Sequence, residues 1–166
     1  MNNEKLSLDG LIFEATKVVM KDYILTITLN RPNKKNAINS VMMNEVNYAL
    51  AYAKQERKIR VVIIDAEGDV FCAGADWSNS KSESNVPKLV DHDDLSLSIR
   101  HLYKPVICKI QGSVLAGALL MITNATHAIA VKDAKFSAPE IKRGLWPFMV
   151  MAGLFRVMPK RAGLDF

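Results

Sequence analysis

Cysteine is scarce in this chain, two residues in 166, and neither Cys72 nor Cys108 stands at a metal-ligand spacing. Both lie inside apolar runs, which reads as buried reduced thiols in a cytoplasmic type of compartment rather than a disulfide framework. Aromatic residues make up only 7% and do not interleave with a basic stripe, which argues against nucleic acid as a partner. Long hydrophobic runs are also missing. Runs such as Ser113 to Ile122 fall far short of the roughly 20 residues that cross a bilayer, so no membrane partner is expected. The opening Met1-Asn-Asn-Glu-Lys leads into no apolar signal-peptide core. His92, His101 and His127 are too widely spaced for a metal pattern, and no metal is expected. No internal repeat stands out.

What is present suits one globular domain spanning residues 1–166, with 49% hydrophobic content. The net charge of +5 is scattered, with small clusters at Lys34-Lys35 and Lys160-Arg161. A modest positive field of that kind suits an anionic small ligand.

The first ten residues are polar. Leu11 to Met20 then reads as a strand, Lys21-Asp22 as a turn, and Tyr23 to Leu29 as a second strand in which Leu25, Ile27 and Leu29 alternate with threonines. Asn30-Arg-Pro-Asn breaks the pattern. Asn39-Ser40 caps a helix whose apolar face is Met42, Val46, Ala49, Leu50 and Ala53. Val61 to Ile64 is a buried-type strand. From Asp76 to Arg100 the pattern dissolves into a serine-rich loop, with a weak helical period from Val86 to Leu102. The loop is equally readable as a substrate-side flap or a plain insertion. Strand Val106 to Ile110, a helix from Gly117 and strand Ala128 to Val131 follow, an alternation that implies α/β layering with ligands at strand ends.

Two small-residue turns stand out, Phe71-Cys-Ala-Gly-Ala-Asp after the strand run Val61 to Asp65, and Gly112-Ser-Val-Leu-Ala-Gly-Ala after Val106 to Ile110. Either turn alone is the build of tight strand-to-helix packing. As a pair, their backbone N–H groups could converge on an oxygen that gains negative charge. Together with Asn30-Arg-Pro-Asn-Lys-Lys-Asn-Ala-Ile-Asn and DAKFSAPEIKRGLWP, in this order, the chain resembles the crotonase superfamily of enoyl-CoA hydratases and isomerases from about Phe13 onward. That resemblance implies the ClpP/crotonase fold, a spiral of ββα units. Its substrate would be an acyl-CoA thioester, with coenzyme A arriving as part of the substrate and no prosthetic group. Carried onto matching positions, the oxyanion donors would be the amides of Ala75 and Gly117, and the CoA-binding surface would comprise Lys35, Ala37, Ala73, Ala75, Asp76, Trp77 and Gly117. For Lys35 the plain alternative is a solvated surface lysine, and for Asp76 a turn cap.

The acid and base positions depart from the hydratase pattern. Hydratases of the family carry a glutamate just after the second oxyanion glycine, where this chain has Leu120, and another in the proline-glutamate motif, which here is Glu140. Hydration asks one group to activate water and another to supply a proton, whereas moving a double bond needs one carboxylate that takes a proton and returns it. The family's Δ3,Δ2-enoyl-CoA isomerases resemble this arrangement. Glu140 is therefore expected as the catalytic proton shuttle, beside an apolar wall for which Trp146, Phe148 and Leu120 are candidates. The aryl-CoA dehalogenase branch uses an aspartate where this chain has the Phe148 region, which argues against that chemistry.

Arg156 to Phe166 reads as the start of a further helix. The resemblance implies a C-terminal helical part beyond it and trimeric or hexameric homo-oligomers, so the core is expected to be incomplete at its C-terminus. Met149, Met151, Leu154 and Phe155 would then lack partners. Hydratase activity, or a truncated non-catalytic chain that binds CoA or only assembles, is the alternative to an isomerase.

Overall fold

The computed structural model describes residues 5–78, 84–89 and 94–166. Among the described residues, eight strands and five α-helices follow one another as four ββα units. The first is β1 (Thr16–Lys21), β2 (Ile24–Leu29) and α1 (Ser40–Gln55). The second is β3 (Val61–Ala66), β4 (Val70–Cys72) and α2 (Leu95–Arg100). The third is β5 (Val106–Ile110), β6 (Ser113–Leu115) and α3 (Leu119–Asn124). The fourth is β7 (His127–Ala130), β8 (Phe136–Ser137) and α4 (Phe148–Val157), with α5 (Lys160–Asp165) appended.

From the second unit on, the first strand of each unit joins a five-stranded sheet, β1-β2-β3-β5-β7, and the second joins a three-stranded sheet, β4-β6-β8. Among the described strands, only the β1–β2 hairpin is antiparallel. This is the ββα spiral of the crotonase fold. A sequence without a detectable repeat forms it because the unit repeats in backbone geometry, not in side chains.

Alternation in β2 places Leu25, Ile27 and Leu29 on one face, and the parallel register continues that face through Val62 and Ile64 to Val106 and Cys108. All are at most 1% exposed, as are Met42, Val46 and Ala49 of the α1 face packed against them. Each fully buried aliphatic side chain contributes about 2 kcal/mol. The α1 start is as expected, with the Asn39 side chain accepting from the Met42 amide at 2.9 Å. Cys72 and Cys108 are buried free thiols, both pushed up to about 12 by burial.

Several expected boundaries differ. The strand expected over Leu11 to Met20 starts only at Thr16. The segment before it is pinned to α1, where the wholly buried Glu45 accepts from Glu14 N, Ala15 N and Thr16 Oγ1 at 2.8–3.0 Å. Each of the two expected small-residue turns contains a short strand, β4 or β6. Gly112 lets these strands approach, since a Cβ there would lie 2.0 Å from the Asp69 carbonyl oxygen. The expected next helix is present but starts at Lys160, because Arg156 and Val157 still belong to α4, and Leu154 is buried at 3% while Met149 and Phe155 stay exposed. His92 and the other loop residues within 79–83 and 90–93 lie outside the described residues.

Candidate active site

Turn 73–76 leaves β4 and turn 116–118 leaves β6, the neighbouring strand of the small sheet, so both emerge at the same strand ends. Gly74 is the point of contact. At φ +87° it adopts a backbone that side chains disfavour, and a Cβ there would stand 2.8 Å from Ala116 Cβ and 3.3 Å from the Gly117 amide nitrogen. The bare α-carbon is what lets the two turns touch.

Backbone hydrogen bonds then decide which amides are left over. Ile38 forms an isolated parallel bridge with Ala75, its N–H donating to Gly74 O at 2.8 Å and its carbonyl accepting from Asp76 N at 2.9 Å. Both polar groups flanking Ala75 on that side are satisfied, and the Ala75 N–H faces the other way, as alternate amides of an extended segment do. Gly117 is the second residue of the 3-10 turn Ala116–Ala118, whose leading amides have no acceptor within the turn. Ala116, at φ +54°, reverses the backbone just ahead of Gly117.

Three adjoining cavities share these residues. The largest, about 490 Å³, is lined by Lys35, Ala37, Ala73, Ala75, Asp76 and Trp77 together with Glu140. All the residues expected to meet CoA except Gly117 are therefore in one place. Lys142 and Arg143, which the sequence reading missed, add two cations to the same wall. The second cavity, about 350 Å³, joins Ala75, Gly117 and Glu140 to the expected apolar wall of Leu120, Trp146 and Phe148. The third, about 150 Å³, is lined by Ala75, Gly117 and Leu120 and reaches Asp94 and Ser96 at the start of α2.

Glu140 stands in the 3-10 turn Pro139–Arg143, delivered by the β8–β6 pairing that brings Ser137 beside Leu115. Its Oε2 is buried and meets no hydrogen-bond partner among the described residues. A carboxylate oxygen in that state is costly unless something else uses it. Asp76, by contrast, is committed. Its Oδ1 accepts from Ser78 N and Oγ and its Oδ2 from Arg31, and these bonds, Ser78 first, hold its carboxyl at about 2. It caps the turn. His101 stacks on Tyr103 and His127 lies on exposed β7. No group of three metal-capable side chains occurs among the described residues, and none of the helices searched among them is long and apolar enough to cross a membrane.

A sequence profile described as enoyl-CoA hydratase/isomerase matches residues 20–164. The chain belongs to that family. Relatives of both kinds occur within it. Mevalonyl-coenzyme A hydratase sidH of Aspergillus fumigatus is 31% identical over 126 residues, 74% of this chain and 47% of that protein. The mitochondrial Delta(3,5)-Delta(2,4)-dienoyl-CoA isomerase of Pongo abelii is 27% identical over 166 residues, covering 91% of this chain and 50% of that one. Among solved structures, an enoyl-CoA hydratase/isomerase from Mycobacterium paratuberculosis superposes with a TM-score of 0.80 at 26% identity, over 93% of this chain and 62% of that one. The chain thus spans about half the length of the two curated relatives.

Proposed function

We propose that this chain isomerises an enoyl-CoA, with Glu140 as its single proton shuttle and the amides of Ala75 and Gly117 as the oxyanion donors. The carrying observation is the buried Oε2 of Glu140, without a hydrogen-bond partner among the described residues, in a cavity shared with both turns, while position 120 holds leucine. The thioester oxygen would sit between the two amides, which stabilise the negative charge it gains when Glu140 removes a proton from the neighbouring carbon. Returning that proton two carbons along completes the shift with no net change in the enzyme. Lys35, Lys142 and Arg143 would meet the phosphates of CoA, and the wall of Leu120, Trp146 and Phe148 the acyl chain.

Hydration is the second reading, favoured by one observation, that Asp94 lines the small cavity beside Leu120 and could hold a water. Ultraviolet absorbance separates the two. Absorbance rising from a 3-enoyl-CoA supports the isomerase, and absorbance lost from a 2-enoyl-CoA supports the hydratase. Silence with both would leave a binding or assembly role.

A further inference from the structure

Arg31 has no part in the chemistry above, yet its side chain is only 16% exposed and that of its partner Asp76 only 9%. Its backbone is anchored first. Arg31 N donates to Asn36 Oδ1 at 2.8 Å, and its carbonyl accepts from Lys34 N and Asn36 N at 2.9 Å. Asn36 is wholly buried and donates through Nδ2 to the carbonyls of Glu67 and Val70, both at 2.8 Å. The base of the arginine is therefore tied to the connection between β3 and β4.

The guanidinium then reaches forward as a fork. Nη1 donates to Ala37 O and Nη2 to Asp76 Oδ2 at 2.9 Å. Ala37 directly precedes Ile38, and Asp76 directly follows Ala75, so one cation holds both sides of the bridge that turns the Ala75 amide outward. An exposed ion pair would do little here. This one is covered, uses two donors of one planar group, and lies one residue from the amide in question. The Asp76 carboxyl, held at about 2, stays ionised across any ordinary assay range, so the fork is not a pH switch.

We propose that Arg31 is a positioning residue for the Ala75 amide, fixing its direction by tying Asp76 to the Ala37 carbonyl while touching no reacting atom. The inference rests on the oxyanion reading given above. A donor displaced by about 1 Å can cost roughly 10² in rate, so a support of this kind acts on kcat more than on substrate affinity.

The experiment uses the purified chain with cinnamoyl-CoA as a spectral probe and a 3-enoyl-CoA as substrate. Polarisation of the bound thioester by two amides moves its absorbance band to longer wavelength. Arg31→Lys keeps the charge but cannot hold both partners. It is expected to lower kcat at least about tenfold with KM within about twofold, and to shrink the band shift. Asp76→Asn breaks the same fork from the other side and is expected to act alike, with the double variant no worse than the poorer single one. Should Arg31→Lys fail to fold by circular dichroism, Asp76→Asn carries the same test. Folded variants with wild-type kcat and an undiminished band shift overturn the inference, as does a fall in kcat with the shift intact. A wild-type chain that neither turns over nor shifts the probe removes the active-site reading and this inference together.

Discussion

Glu140 follows Pro139 in a tight 3-10 turn, and the proline sets the backbone there without needing a donor of its own. The result is a carboxylate with one oxygen below the surface and no hydrogen-bond partner among the described residues. Glu140→Gln keeps the shape and removes the base. Turnover of a 3-enoyl-CoA should fall by about 10² or more while binding of an acyl-CoA, followed by calorimetry, stays within about threefold. Gly74→Ala tests the contact between the turns. A methyl group there meets Ala116 Cβ at 2.8 Å in a left-handed backbone. Both effects push the turns apart, with an expected loss of about 2 kcal/mol in denaturant melts and about 10² in kcat. Ala75, Gly117 and Glu140 could be singled out as candidates because each stands in a short motif, and the fold brings all three to one cavity. Arg31 could not, because its carboxylate partner is 45 residues away and nothing local distinguishes it from a surface arginine. Lys142 and Arg143 were similarly silent until the turn that carries them was folded over the cavity.

At the scale of elements, the strands that bury one face were readable from alternation, and Val106 to Ile110 was placed without error. The strands β4, β6 and β8 were not, since runs of two or three residues are too short to show a period. Nor did sequence reveal that Glu45, on the α1 face, is inside. It replaces strand pairing for the segment before β1 by accepting three hydrogen bonds. Desolvation raises its carboxyl above the usual range, against the pull of those bonds. Glu45→Ala strands three donors and should cost about 3 kcal/mol in urea unfolding, with fraying expected first in residues 11–16 by hydrogen exchange. Asp76 has the opposite sign. Its carboxyl is lowered from 3.8 to about 2 in the fold. The unfolded chain therefore binds the extra proton between those values, and stability falls as pH drops from about 4 to 2. Denaturant midpoints taken through that window should fall more steeply for the wild type than for Asp76→Asn.

The whole molecule has a surplus of positive charge, 22 Lys and Arg against 17 Asp and Glu. Lys35, Lys142 and Arg143 bring three of those cations to one cavity wall. If that wall meets CoA phosphates, KM should rise as salt goes from about 0.05 to 0.5 M, because screening shortens the reach of the field to a few ångströms. A Lys142→Ala/Arg143→Ala chain should show a weaker salt dependence and a KM raised about tenfold, with kcat little changed.

The pairing order of the strands has a temporal meaning. β2 pairs with β1, β3 with β2, β5 with β3 and β7 with β5, while β6 pairs with β4 and β8 with β6. Apart from β1 and β4, which open the two sheets, every strand finds a neighbour in a segment the ribosome has already released. The large sheet can therefore be wound from its N-terminal end during synthesis, each strand laid on a finished one, while β4 waits one unit for β6 to open the small sheet.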